Sequence, residues 1–314
     1  MDPVVTPAAD LVLRGPGGEP VDLWRTFVSH GLTALPPMAL DEATRSLEIT
    51  LPLGRRRART VRVEPAGRER GRVTVLGPSP VPADLERAVA GVRHVLRLDE
   101  DLSDFYALVS GDPDLAWAAA GAGRLVRSPT VFEDVVKTLC TTNCAWSATT
   151  RMVGALVEHL GRRAPGAPAT GTAGRAFPTA GAMAGAEEDF YRHVARAGYR
   201  GAYLRSLATA VVEGTVDVEA LGRAGPDELP DDELAARLQA LPGIGPYAAA
   251  HVMTLLGRYS RLILDSWTRP KYARLAGRTV VTDAAITRRF RRYGPWAGLA
   301  FWLYLTADWV PGPA

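Results

Sequence analysis

The 314-residue sequence holds only two cysteines, two lysines and five histidines, and each scarcity closes off some chemistry. Cys140 and Cys144 are too few for a disulfide framework or a four-cysteine zinc or iron–sulfur site. They stand four residues apart in a segment that reads as helix, so they should stack on one face as small apolar residues. No apolar run reaches eighteen residues, which argues against a membrane-spanning helix. The opening Met1-Asp2-Pro3 lacks the basic-then-apolar pattern of a secretory signal, and a cytoplasmic protein is expected.

What the chain does hold is enough for a sizeable core: 47% of its residues are hydrophobic, in a length that allows two or three packed layers. The formal net charge is only +3, but its distribution is uneven. Between Arg258 and Arg292, nine Arg and one Lys face two Asp, a local net charge of +8, while the stretch from Glu213 to Glu233 is acidic. Any one of these arginines could be solvated surface. As a cluster they read as a face turned toward phosphates.

From about residue 10 to 80 apolar residues alternate with polar ones, as at Leu47, Ile49 and Leu51, at Val61 and Val63, and at Val73 and Val75. This period of two predicts a small antiparallel sheet. The Pro-rich Gly77–Pro82 ends it, and helical patterns joined by short loops follow. The fold class is therefore α+β, with an N-terminal sheet domain over 1–82 and a mostly helical core over 83–314 in two subdomains with a cleft between them. Ser128-Pro129 reads as a cap and first-turn proline opening a helix to Thr142. Further helices are expected near 187–196, 201–213, 231–240, 246–257, 266–276, 284–293 and 295–307, and 161–174 reads as a loose linker.

Leu241-Pro242-Gly243-Ile244-Gly245 breaks one helix and opens the next at Pro246, where a missing amide proton costs nothing. Gly243 and Gly245 let the turn be tight and bring backbone N–H groups to a helix start, a place that suits a phosphate oxygen. Ile244 should anchor the turn in the core. Twenty residues beyond Gly245 stands a lone carboxylate, Asp265, at the start of the next helix. By itself it could be an N-cap. A fixed carboxylate can also stabilise positive charge and deprotonate a water.

Leu241 to Ala249 resembles the hairpin of the helix-hairpin-helix (HhH-GPD) superfamily of base-excision DNA glycosylases, and Asp265 matches that family's catalytic aspartate. The likeness extends to the 8-oxoguanine and alkylbase (3-methyladenine) branches. It implies that Asn143, in Cys140-Thr141-Thr142-Asn143, fills the gap left by an extruded base, and that Tyr199, in Gly198-Tyr199-Arg200, wedges into the stack with Arg200 beside it. Gly294–Gly298 and Thr306-Ala307-Asp308 match the closing helix of the base pocket. The resemblance implies duplex DNA with a damaged base as partner, a monomer, nucleoid association if the source is bacterial, and no redox cofactor or catalytic metal. A structural monovalent cation is often held on the hairpin carbonyls in this family.

Two departures refine the expectation. Strand-cleaving members carry a lysine two residues after the second hairpin glycine; here that residue is Tyr247, and the chain's lysines are Lys137 and Lys271. Water is then the nucleophile, and abasic-site lyase activity is not expected. The 8-oxoguanine readers place a glutamine on the last helix, where this chain has Phe301. A base pocket of Tyr247, His251, Trp267 and Phe301 suits an electron-poor alkylated purine by stacking and cation–π attraction. Arg269 and Lys271 join Gly243, Ile244 and Gly245 as expected backbone contacts. Two other readings stay open: an 8-oxoguanine glycosylase with different recognition residues, and a non-catalytic DNA-damage binder.

Overall fold

The computed structural model describes residues 7–54 and 57–310. Five strands, β1 (Ala8–Val12), β2 (Met38–Asp41), β3 (Ser46–Pro52), β4 (Ala58–Pro65) and β5 (Arg70–Val75), form one antiparallel sheet in the order β1-β5-β4-β3-β2. The register aligns Leu47 with Val63 and Ile49 with Val61 on β3 and β4, and Val61 with Val75 and Val63 with Val73 on β4 and β5. The alternation seen in the sequence thus becomes one fully buried apolar face. That face packs on α1 (Pro82–Val95) through Ala88, Val92 and Val95, so the sheet's core runs on into the first long helix.

Eight more helices of at least eight residues follow among the described residues: α2 (Val131–Thr141), α3 (Trp146–Leu160), α4 (Arg200–Val212), α5 (Asp231–Gln239), α6 (Pro246–Leu255), α7 (Thr268–Leu275), α8 (Asp283–Phe290) and α9 (Ala297–Thr306). They divide into two apolar clusters. One gathers α2 to α6; the other gathers residues 102–125 with α7, α8 and α9. Tyr247, in the first turn of α6, packs against both, which places it at their junction.

Local chemistry explains the helix ends, with some changes from expectation. Thr130, not Ser128, caps α2 by accepting from the Glu133 amide, while the Ser128 amide is held by Asp134. The helix expected at 187–196 is present over 188–194, with Phe190–Val194 wound as a π-helical turn. α2 stops at Thr141 and Asn143 takes a left-handed φ of 46°, so Cys144 lies beyond the helix instead of stacking on the buried Cys140.

Buried arginines hold the layers together. Arg124 pairs with Glu19 at 2.5 Å, with both side chains buried. Arg97 donates to the Leu125 carbonyl and to the Thr254 and Leu255 carbonyls at the C-terminal end of α6. A cation there satisfies otherwise orphaned carbonyls and fixes the helix whose other end is the hairpin.

Candidate active site

The hairpin is built as its glycines require. Gly243 has φ +75°, and a Cβ there would come within 2.6 Å of the Tyr203 ring and 2.8 Å of Leu139. Ile244 is buried and anchors the turn, and Gly245 caps α6 ahead of Pro246. Tyr203 also meets Tyr199 edge-on at 6.0 Å between ring centroids. The hairpin is thereby packed against the exposed tyrosine that precedes α4.

Asp265 sits just before α7 in a reciprocal cap. Its Oδ1 accepts from the Trp267 amide at 2.8 Å and the Thr268 amide at 2.7 Å, while its own amide donates to Thr268 Oγ1 at 2.8 Å. Oδ2 has no partner among the described residues. The N-cap role and a free reactive oxygen therefore coexist in one side chain.

That oxygen belongs to a group lining a cleft of about 680 Å³. Tyr247 and His251 of α6 form one side, with ring centroids 6.0 Å apart. Trp267, Trp302 and Trp309 form another, mutually in contact at 5.7–5.9 Å. Trp146 at the start of α3 closes against Gly31, where an added Cβ would stand 3.3 Å from the indole. Trp302 is fixed by its Nε1–H bond to the Ser29 carbonyl at 2.7 Å. Asp265 is the one charged side chain among the cleft's lining residues. Among the described residues, no three His, Cys, Asp or Glu side chains converge as a metal site.

Both cleft histidines are held neutral. Burial lowers His30 to about 3 and His251 to about 4, and burial also pushes the Tyr247 phenol up. His94, outside the cleft, is lowered to about 4 by the same cause. Folding therefore excludes protons that the unfolded chain takes up below the ordinary histidine value of 6.5, so this stability is intact above 6.5 and lost as pH falls toward 4. Asp134 and Glu133 oppose it: burial raises the Asp134 carboxyl from 3.8 to about 7 and pushes Glu133 up as well, contributions present at low pH and lost as pH rises through the raised values. The three imidazoles outweigh the two carboxyls between pH 6.5 and pH 4. Urea midpoints should fall between pH 6.5 and pH 4, and a flat profile would contradict buried neutral imidazoles.

Several expected site residues stand where the sequence placed them. Asn143 and Tyr199 meet at the rim, Asn143 Nδ2 donating to the Tyr199 hydroxyl at 3.4 Å, and Tyr199 is 55% exposed. Tyr247, His251, Trp267 and Asp265 share the cleft. Others do not. Phe301 is fully buried against Phe290 and Tyr272 and does not line the cleft; the next residue, Trp302, does. α9 is apolar on every side, so its sequence gave no cue to which face turns to the cleft.

Arg200 is buried, stacks on the Tyr199 ring at 4.5 Å and donates to the Thr142 carbonyl, which makes it a brace between the two rim loops instead of an intercalating group. Lys271 is buried with its ammonium on Asp308 at 2.5 Å, so it is not a free phosphate ligand. Arg269 is exposed but forked onto Asp283 at 2.7 and 2.9 Å. Of the ten cations between 258 and 292, six are paired with Asp; Arg274, Arg278, Arg288 and Arg291 form no ion pair among the described residues. His30, Gly31, Trp146, Trp302 and Trp309 were not foreseen, because only tertiary packing brings them to Asp265.

A five-stranded sheet followed by two helical clusters, with Tyr247 at their junction sharing a cleft with Asp265, is a fold known among DNA glycosylases. Solved structures bear this out. The chain is similar to the 3-methyladenine DNA glycosylase of Archaeoglobus fulgidus, with TM-score 0.72 and 19% identity over 95% of this chain and 97% of that one. It is similar to the apo 8-oxoguanine glycosylase/lyase of Clostridium acetobutylicum, with TM-score 0.70 and 18% identity over 97% and 99% of the two chains. MBOgg1, solved with a low-affinity DNA ligand, gives TM-score 0.71 and 17% identity over 96% of each chain. No family model and no curated protein matches the sequence. No helix among the described residues is long and apolar enough to cross a membrane.

Proposed function

We propose that the protein is a DNA N-glycosylase that extrudes and hydrolytically releases a damaged purine, of the cationic alkylated kind, from duplex DNA. The observation that carries this reading is the single carboxylate, fixed at a helix start in an otherwise uncharged aromatic cleft beside the hairpin. Hairpin amides and the unpaired arginines take the phosphate backbone. Tyr199, braced by Arg200, enters the stack, and Asn143 occupies the space the base leaves.

In the cleft, tryptophan faces attract an electron-poor base and exclude water. The C1′–N bond breaks with its electron pair going to the base, and the cationic sugar that forms lies against Asp265. Water then adds to C1′ and gives its proton to Oδ2, the oxygen the cap leaves open. A base that is already cationic leaves as a neutral molecule and needs no acid. This agrees with a cleft whose imidazoles are both held neutral.

The carbonyls of Pro242, Gly243 and Ile244 accept no backbone hydrogen bond among the described residues. They therefore fit a monovalent cation, which would stiffen the turn against a phosphate.

The reading of hydrolysis without strand cleavage is supported by the amines. Both lysines are spent elsewhere, Lys137 buried on Glu133 at 2.6 Å and Lys271 on Asp308, and Tyr247 fills the place of the family's lysine. A panel of lesion-bearing duplexes scored for abasic sites tests the activity. Methylated purines should be released and 8-oxoguanine retained. Borohydride should trap no protein–DNA adduct; a trapped adduct would overturn the hydrolytic mechanism, and preferential release of 8-oxoguanine would favour the branch represented by the Clostridium acetobutylicum structure.

A further inference from the structure

The cleft contains two imidazoles, and they are not equivalent. His30 is fully engaged: its Nε2 meets the Val126 carbonyl at 2.5 Å and its Nδ1 accepts from the Leu32 amide at 3.2 Å. His251 has no hydrogen bond among the described residues. Its Nδ1 is buried without a partner, and Nε2 is the ring nitrogen left open to the cleft that the side chain lines.

The two threonine hydroxyls that line the cleft do not offer a substitute. Thr141 Oγ1 donates to the Thr138 carbonyl and Thr149 Oγ1 to the Cys140 carbonyl, so both protons are committed within the protein. Phe301, buried in the second cluster, offers no polar atom from α9. A buried polar atom left unsatisfied in a folded protein calls for an explanation, and a ligand is one.

The tautomer follows from the same orphaned atom. A neutral imidazole carries one proton, on either nitrogen. On Nδ1 it would be a buried donor with no acceptor, a rarer and costlier defect than an unfilled lone pair. On Nε2 it points a donor into the cleft, one helical turn beyond Tyr247.

We propose that His251 Nε2–H donates a hydrogen bond to a ring-carbonyl oxygen of the extruded base, making His251 a specificity-determining residue that favours guanine-type over adenine-type alkylpurines. This rests on the glycosylase reading and deepens it. An adenine-type base presents an amino group where guanine has its carbonyl, so it would set N–H against N–H and leave the donor unpaired.

DNA treated with dimethyl sulfate carries 7-methylguanine and 3-methyladenine together, so the ratio of the two bases released by the full-length protein is an internally controlled readout. The wild type should favour 7-methylguanine. His251→Leu should lower that ratio by about ten-fold, the worth of one neutral hydrogen bond, even where total activity also drops. His251→Gln, whose amide nitrogen reaches the place of Nε2, should keep the ratio within about three-fold. His251→Asn, whose amide lies nearer Nδ1, should behave like the leucine variant.

An unchanged ratio in His251→Leu, or equal ratios in the Asn and Gln variants, would overturn the assignment. A long-range 1H–15N spectrum of the free wild-type protein checks the tautomer without any variant: a proton on Nε2 is expected, and one on Nδ1 would refute it. If the wild type releases neither base from DNA, the glycosylase reading itself fails and the inference falls with it.

Discussion

Asp265→Asn should stop base release while leaving both the fold and DNA binding in place. Asparagine is as good an N-cap as aspartate, and its Oδ1 can still accept the Trp267 and Thr268 amides, so α7 should start where it does now. What changes is the other atom: Oδ2, unpartnered in the cleft, becomes a neutral amide that cannot stabilise a sugar cation or take a proton from water. Losses on the order of 10²–10⁴-fold in the single-turnover rate are expected from removing such a group. Binding to an abasic-analogue duplex, followed by fluorescence anisotropy, should be unchanged. Asp265→Ala would add a helix-start penalty of about 1 kcal/mol, visible in urea unfolding, so comparing the two separates the cap from the chemistry. Release at the wild-type rate by the asparagine variant would leave the protein a DNA-damage binder without this catalytic carboxylate.

The pieces of the site that were legible in the sequence are those specified by local chemistry. Two glycines flanking Ile244 dictate a tight turn with a buried anchor, and a period of two dictates the sheet, wherever the rest of the chain lies. The pieces that were not legible come from long-range packing. Trp146 reaches Gly31 across 115 positions of sequence, and Trp302 is held by Ser29, 273 positions away. No periodicity carries that information. Charge pairing was not legible for the same reason: Arg289 and Arg292 are paired with Asp114 and Asp112, which stand 175 and 180 positions away in the sequence. Lys271 could not be separated from a surface lysine without Asp308.

Phe301 is the most instructive misplacement, and it yields the second large effect. Its position on α9 matches the glutamine of 8-oxoguanine readers, so Phe301→Gln looks like a switch toward that lesion. Phe301 is instead fully buried, with ring centroids 5.1 Å from Phe290 and 6.2 Å from Tyr272. Glutamine there would give up the packing of an aromatic ring and bury an amide among aromatic rings, at a cost of about 3–5 kcal/mol in urea unfolding. Trp302→Gln should behave differently. Trp302 lines the cleft, so its loss removes a stacking wall and frees the Ser29 carbonyl, lowering base release more than stability. If Phe301→Gln instead kept full stability and gained 8-oxoguanine release, α9 would have to turn by about one residue, some 100° about its axis, and bring Phe301 into the cleft in place of Trp302. The two variants measured side by side therefore decide which face of α9 meets the base.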